Sequence, residues 1–207
     1  MGQLTFFDPG SLIKEFQLNG YIETGTGLGV SLTYACQFPF DFLMSVELDK
    51  EMAETARSNF MGNNKVKITN AHSTEFLELV CQKLPTEQNC LFFLDAHFPE
   101  ADFGKLPYRD SIEKYGKSAL PLDEELSIIK KYRRDKDVII VDDIMIYDQG
   151  NNQYEHAANG FPWNNFDMQN NLGLSTQLKD LFDDFQSSHK IQYNNSHQGY
   201  ALLTPLL

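Results

Sequence analysis

Cysteine is scarce in this chain: Cys36, Cys81 and Cys90 stand in apolar surroundings, and no C-x-x-C pair occurs. An odd, scattered set of this kind excludes a disulfide framework and a cysteine-ligated zinc site. Positive charge is also short, with 17 Lys and Arg against 29 Asp and Glu, for a formal net charge of −12. Gripping phosphates needs a basic footprint, so nucleic acid is not an expected partner, and neither is an anionic membrane surface. No long apolar run and no signal-peptide pattern appears, which points to a soluble, cytoplasmic protein without a membrane partner. Repeats, low-complexity tracts and interdomain linkers are missing as well. Of the 207 residues, 42% are hydrophobic. That proportion supports one sizeable core, so residues 1–207 are expected to form a single domain.

Apolar runs alternate with helix-period stretches, the mark of an α/β sheet. Strands are expected at residues 20–24, 42–48, 66–70, 90–95 and 137–142. These runs are apolar on both faces, as a covered parallel sheet requires. Between them lie amphipathic stripes: Met52, Ala56 and Phe60; Phe76, Val80 and Leu84 with Ser73 as cap; Leu122, Leu126 and Ile129; and Leu178, Leu181, Phe182 and Phe185. Leu12, Ile13 and Phe16 mark a short lead-in helix. The alternation breaks at the end, where runs at 190–193 and 199–204 flank a turn-rich pentapeptide and predict an antiparallel hairpin. Two segments, 98–121 and 144–173, exceed ordinary loop length and leave the carboxyl ends of strands, where ligands of open α/β sheets bind. The first mixes Lys105, Arg109, Lys114 and Lys117 with Glu100, Asp102, Asp110 and Glu113, and reads as no anion site. The second carries Tyr147, Tyr154, Phe161, Trp163 and Phe166 among asparagines, a composition suited to a substrate lid or to a loop pinned by its aromatics.

The strongest motif is Glu23-Thr24-Gly25-Thr26-Gly27-Leu28-Gly29, set between the first strand and a helix-like segment. Glycines there let a ligand approach the backbone. A dinucleotide loop, G-x-G-x-x-G, would put its third glycine at Val30, whereas here it falls at Gly29 with Glu23 ahead of the set. Glu47 closes the second strand 20 residues after Gly27 and could accept hydrogen bonds from both hydroxyls of a ribose. Asp95-Ala96-His97 and Asp142-Asp143 end the fourth and fifth strands. Strands that neighbour one another lie about 4.8 Å apart, so these carboxylates could converge on one hard cation. Equally, acids at strand ends can simply cap the next turn.

The E-x-G-x-G-x-G loop resembles that of class I S-adenosylmethionine-dependent methyltransferases. Five βα units with a terminal hairpin match that family over nearly the whole chain. The resemblance implies an α/β, doubly wound, mostly parallel seven-stranded sheet of order 3-2-1-4-5-7-6. It implies S-adenosylmethionine as cofactor, bound by Glu23, Gly25, Thr26, Gly27, Gly29, Glu47, Ser73 and Asp95. The acid set is similar to that of the metal-dependent O-methyltransferases that act on sugar hydroxyls, the macrocin O-methyltransferase-like branch. There Asp95, Asp142 and Asp143 would hold Mg²⁺ or another divalent cation.

A small-molecule hydroxyl acceptor, such as a sugar, follows from that branch. A cation on the hydroxyl would stabilise its alkoxide. His97, beside Asp95, would serve as base, since an unperturbed imidazole titrates near neutrality. His97 could instead ligate the metal, and His156 could supply the base from the lid. Glu124 and Glu125 read as acids that complement a helix dipole. The lead-in of about 19 residues is short for the family, so the long loops or a second subunit of a homo-oligomer must cover the acceptor. Three other readings stay open: a metal-independent methyltransferase, a catalytically silent methyltransferase-like binding domain, and a nicotinamide oxidoreductase, which the third glycine and Glu23 disfavour.

Overall fold

The computed structural model describes residues 3–101, 104–133, 135–148 and 173–206. His156, Tyr154, Phe161, Trp163, Phe166 and Asp102 lie outside the described residues. Seven strands form one sheet: β1 (Leu18–Thr24), β2 (Phe42–Glu47), β3 (Val66–Asn70), β4 (Asn89–Leu94), β5 (Val138–Val141), β6 (His189–Asn194) and β7 (Tyr200–Pro205). Their order is β3-β2-β1-β4-β5-β7-β6, as expected. The first five run parallel, and β7 pairs antiparallel with both β5 and β6. Seven described α-helices accompany them: α1 (Pro9–Phe16), α2 (Val30–Ala35), α3 (Lys50–Asn59), α4 (Ser73–Lys83), α5 (Tyr108–Tyr115), α6 (Leu122–Tyr132) and α7 (Thr176–Gln186). None of the described helices is long and apolar enough to cross a membrane.

β5 is apolar at every position, and β4 at all but its first, because each face meets a different helix layer. Side chains alternate across the pleat. Ile22, Phe92, Leu94, Ile139 and Val141 point into the core under α4, α6 and α7. Tyr21, Leu91, Phe93, Val138 and Ile140 point into the core that Phe16 of α1, Leu32 of α2 and Ala56 of α3 cover. Edge strand β3 buries one residue, Ile68. The expected helix stripes seat α3, α4, α6 and α7 on the sheet. Asp8 caps α1 and Asp49 caps α3 through Met52 N–H at 3.0 Å. Ser73 is not the cap of α4 but its first helical residue; the position before it, His72, makes no side-chain cap bond. Asp95 and Asp142 were expected as strand ends and stand one residue beyond them. Segment 98–121 is not a plain loop, since it contains α5 and a 3-10 turn, Gly116–Ala119.

At the amino-terminal edge of the parallel strands a buried ion pair joins three elements. Arg133, after α6, donates from Nε to Asp137 Oδ2 at 3.0 Å and from Nη2 to Oδ1 at 3.0 Å. The same guanidinium reaches Pro85 O and Gln88 O, and Asp137 Oδ1 accepts from Cys90 N–H at 2.6 Å. The pair therefore ties the starts of β4 and β5 to the end of α6. Removing one partner strands the other charge without water. Asp137→Ala is expected to lower unfolding stability by about 3 kcal/mol in urea titration, the scale for breaking a buried pair.

Candidate active site

The carboxyl ends of β1, β2, β4 and β5 open on one cleft of about 560 Å³. The glycine loop forms its floor. Gly25, Gly27 and Gly29 all have left-handed φ, at 78°, 52° and 73°. At Gly25 the need is steric as well: a Cβ there would stand 2.4 Å from the backbone oxygen of Asp95. Gly25 N–H and Thr26 N–H both donate to Val46 O at 3.0 Å. The loop after β1 is thereby pressed between the ends of β2 and β4.

Two carboxylates brace this loop by different means. Glu47 faces the cleft, and each of its oxygens accepts one backbone N–H: Gly27 at 2.8 Å on Oε2 and Asp49 at 2.8 Å on Oε1. Burial raises its pKa, opposed by those two bonds. Each oxygen keeps a lone pair for a further donor, such as a ribose hydroxyl. Glu23 is turned inward. Tyr21 Oη donates to its Oε1 at 2.9 Å, and Ser45 Oγ to its Oε2 at 2.5 Å. Ser45 Oγ also shares a hydrogen bond with Thr26 Oγ1, 2.6 Å away. Glu23 thus anchors the loop from below, and burial pushes its carboxyl up to about 8.

At the other end of the cleft stand Asp95, His97 and Asp143, with ligand atoms all within 4.8 Å of one another. His97 Nε2 lies 3.2 Å from Asp95 Oδ1 and 3.1 Å from Asp143 Oδ2. Asp143 is buried, yet the bond and charge of His97 outweigh that burial and hold its pKa low. Asp142, expected beside Asp143 in the metal set, is not in this group. It is 2% exposed; its Oδ1 accepts Asp143 N–H at 2.7 Å, and its Oδ2 has no partner. Burial, then repulsion from Asp95 and Asp143, drives its pKa well up. Asp143 adopts a left-handed φ of 49°, which turns successive side chains to different sides. Two carboxylate oxygens and an imidazole nitrogen fit a divalent cation, and the nitrogen makes Mn²⁺ as good a match as Mg²⁺.

Of the expected site residues, Glu23, Gly25, Thr26, Gly27, Glu47, Ser73, Asp95, His97 and Asp143 line the cleft. Two features of the site escaped the sequence. Lys105 reaches across from the segment after β4 to the cap of α3, with Nζ 2.5 Å from Asp49 Oδ2 and 3.7 Å from Glu51 Oε2. Glu125, read as a dipole acid, is 1% exposed and lies behind the cleft, with Thr24 Oγ1 at 3.4 Å from its Oε2. The available signal was its place on the Leu122–Leu126–Ile129 stripe, where a carboxylate is out of character.

Glu23 generates a pH signature. Its folded-state pKa lies above the ordinary value of 4.5, so the folded state holds a proton that the unfolded state has released. Its contribution is fully present below pH 4.5 and is lost as pH rises through about 8. Glu23→Gln is expected to flatten the decline in stability over that window, measured by thermal melts at stepped pH. Gly25→Ala is expected to cost about 2 kcal/mol or more of stability through the clash with Asp95 O.

No family model matches this chain, and no curated protein matches it. Solved structures do. An O-methyltransferase from Bacillus cereus in complex with SAH superposes with a TM-score of 0.60 at 14% identity, over 95% of this chain and 78% of that one. The O-methyltransferase TomG from Streptomyces achromogenes, in complex with SAM, gives 0.58 at 16% identity, over 96% and 78%. SAH-bound methyltransferase PaMTH1 from Podospora anserina gives 0.57 at 13% identity, over 95% and 76%. With strand order, terminal hairpin and these superpositions together, the chain has the Rossmann-like methyltransferase fold.

Proposed function

We propose that this protein binds S-adenosylmethionine and transfers its methyl group to a hydroxyl of a small molecule, such as a sugar. The observation that carries the reading is the glycine loop with Glu47 bonded to Gly27 N–H, opening on the Asp95–His97–Asp143 group in one cleft. Gly25, Thr26 and Gly27 give the cofactor a close backbone floor, which Glu23 braces from beneath, while Gly29, outside the cleft lining, completes the turn. Glu47 takes the ribose hydroxyls, and Ser73 faces the base. Asp95 lies at the end of β4, between the loop and the acceptor end.

Asp95, His97 and Asp143 would hold Mg²⁺ or Mn²⁺, with Asp142 setting the turn that presents Asp143. A divalent cation there would supply Lewis-acid stabilisation of negative charge on an acceptor hydroxyl. Where no cation is bound, His97 would instead take the acceptor proton, with Asp95 and Asp143 holding its ring through Nε2 and balancing the charge it gains. A second reading rests on the same distances: His97 itself bridges the two carboxylates, so the site is also complete as a metal-independent acid–base group.

The test is transfer of labelled methyl from S-adenosylmethionine to a panel of sugars, catechols and simple alcohols, with Mg²⁺, with Mn²⁺ and with chelator. Transfer that needs a divalent cation supports the first reading, and transfer undiminished by chelator replaces it with the second. Cofactor binding without transfer to any acceptor favours a silent binding domain. His97→Ala is expected to lower kcat by about 100-fold or more, the scale of a lost general base, with cofactor affinity unchanged.

A further inference from the structure

Lys105 joins the two sides of the cleft, and neither reading above uses it. The segment that carries it leaves β4 and is held by its own bonds. Phe98 N–H donates to Ala119 O at 2.8 Å, Ser111 Oγ to Pro99 O at 2.8 Å, and Lys114 Nζ to Glu100 Oε2 at 2.7 Å. Phe98 and Ala101 pack with Tyr108, Ile112 and Ile146. From this base the Lys105 side chain extends to α3, where Nζ meets Asp49 Oδ2 at 2.5 Å.

The sheet order decides where this link runs. β1 lies between β2 and β4. Neighbouring strands are about 4.8 Å apart, so β2 and β4 stand about 10 Å apart. Asp49 follows β2 and the Lys105 segment follows β4, so the side chain spans the carboxyl end of β1, where the glycine loop stands. Lys105 and Asp49 both line the cleft. We propose that the Lys105–Asp49 pair is a bar across the cleft that must part each time the cofactor enters or leaves. The inference rests on the cofactor reading above, with the ribose on Glu47.

The fixed half of the bar is well anchored. Asp49 N–H donates to Glu47 Oε1 at 2.8 Å, and Asp49 Oδ1 accepts Met52 N–H at 3.0 Å. One carboxylate oxygen caps α3 and the other holds the lysine, so the lysine can leave with the cap intact. The moving half is a flexible four-carbon stem, which swings without a change in the backbone. Glu51, outside the cleft lining and 3.7 Å from Nζ, offers the ammonium a second partner. The Lys105 side chain is 40% exposed, and a pair so exposed adds little to folding. Its consequence is kinetic.

The test is surface plasmon resonance with S-adenosylhomocysteine over immobilised protein, wild type against Lys105→Met, which keeps the length of the side chain and removes its charge. Both halves of the bar belong to the protein, so it opposes entry and exit alike. Association and dissociation rates are expected to rise together in Lys105→Met by about threefold to fivefold, the range open to an exposed pair, with Kd changed by less than about twofold. S-adenosylhomocysteine carries no net charge near neutral pH, so added salt screens the bar more than the ligand. High salt should therefore speed exchange in wild type toward the rates of the variant and leave the variant as it was. Rates unchanged in Lys105→Met, a rise in dissociation alone, which would mark a direct contact with the ligand, or wild-type rates indifferent to salt overturn this inference and leave the cofactor reading standing. Failure of wild type to bind S-adenosylhomocysteine overturns both.

Discussion

The close approach of two backbones at the centre of the sheet is the constraint on which the site depends. The chain after β1 crosses the chain after β4 with no room for a side chain at Gly25, where a Cβ would meet Asp95 O at 2.4 Å. This contact fixes where the loop lies, and the loop then brings Gly27 N–H to Glu47. It also fixes Asp95 as the residue where floor and acceptor end meet. β1 and β4 are neighbours because the strand order reverses between them, and such a switch point is where an open α/β sheet offers a crevice. Cleft and sheet topology are therefore one feature.

The second organising fact is a concentration of buried acids in a chain already at −12. Each is handled differently. Glu47 is held by two backbone amides, Glu23 by two hydroxyls, and Asp95 and Asp143 by the imidazole of His97. Glu23 and Asp142 are shifted toward their neutral forms by burial. A cleft of this sign suits a sulfonium cofactor and a divalent cation, and it is ill suited to a pyrophosphate. That electrostatic match separates a methyltransferase reading from a dinucleotide one independently of the glycine spacing.

Much of this was legible because it is local. The left-handed turn at Gly25, Gly27 and Gly29, the acid that ends β2 and the terminal hairpin are each encoded within a few residues. The sheet order came from resemblance to a family and is matched by the structure. Errors arose where a single residue's rotation mattered. Asp142 and Asp143 look equivalent in sequence, but the positive φ at Asp143 sends one carboxylate inward and the other to His97. Ser73 looked like a cap, yet the helix had already begun there. The features missed outright join distant segments: Glu125 to Thr24 across 101 residues, and Lys105 to Asp49 across 56. No spacing rule reports such pairs, because only the packed sheet brings them together.

The central claim is that the cleft is an S-adenosylmethionine site rather than a generic nucleotide crevice. Calorimetric titration with S-adenosylhomocysteine, run with Mg²⁺ and again with chelator, and with NAD as control ligand, tests it most directly. The account predicts adenosyl binding under both conditions, since Glu47 and the glycine loop are complete without a cation, and no binding of NAD. Clear binding of NAD with none of S-adenosylhomocysteine would contradict it and leave the fold alone standing.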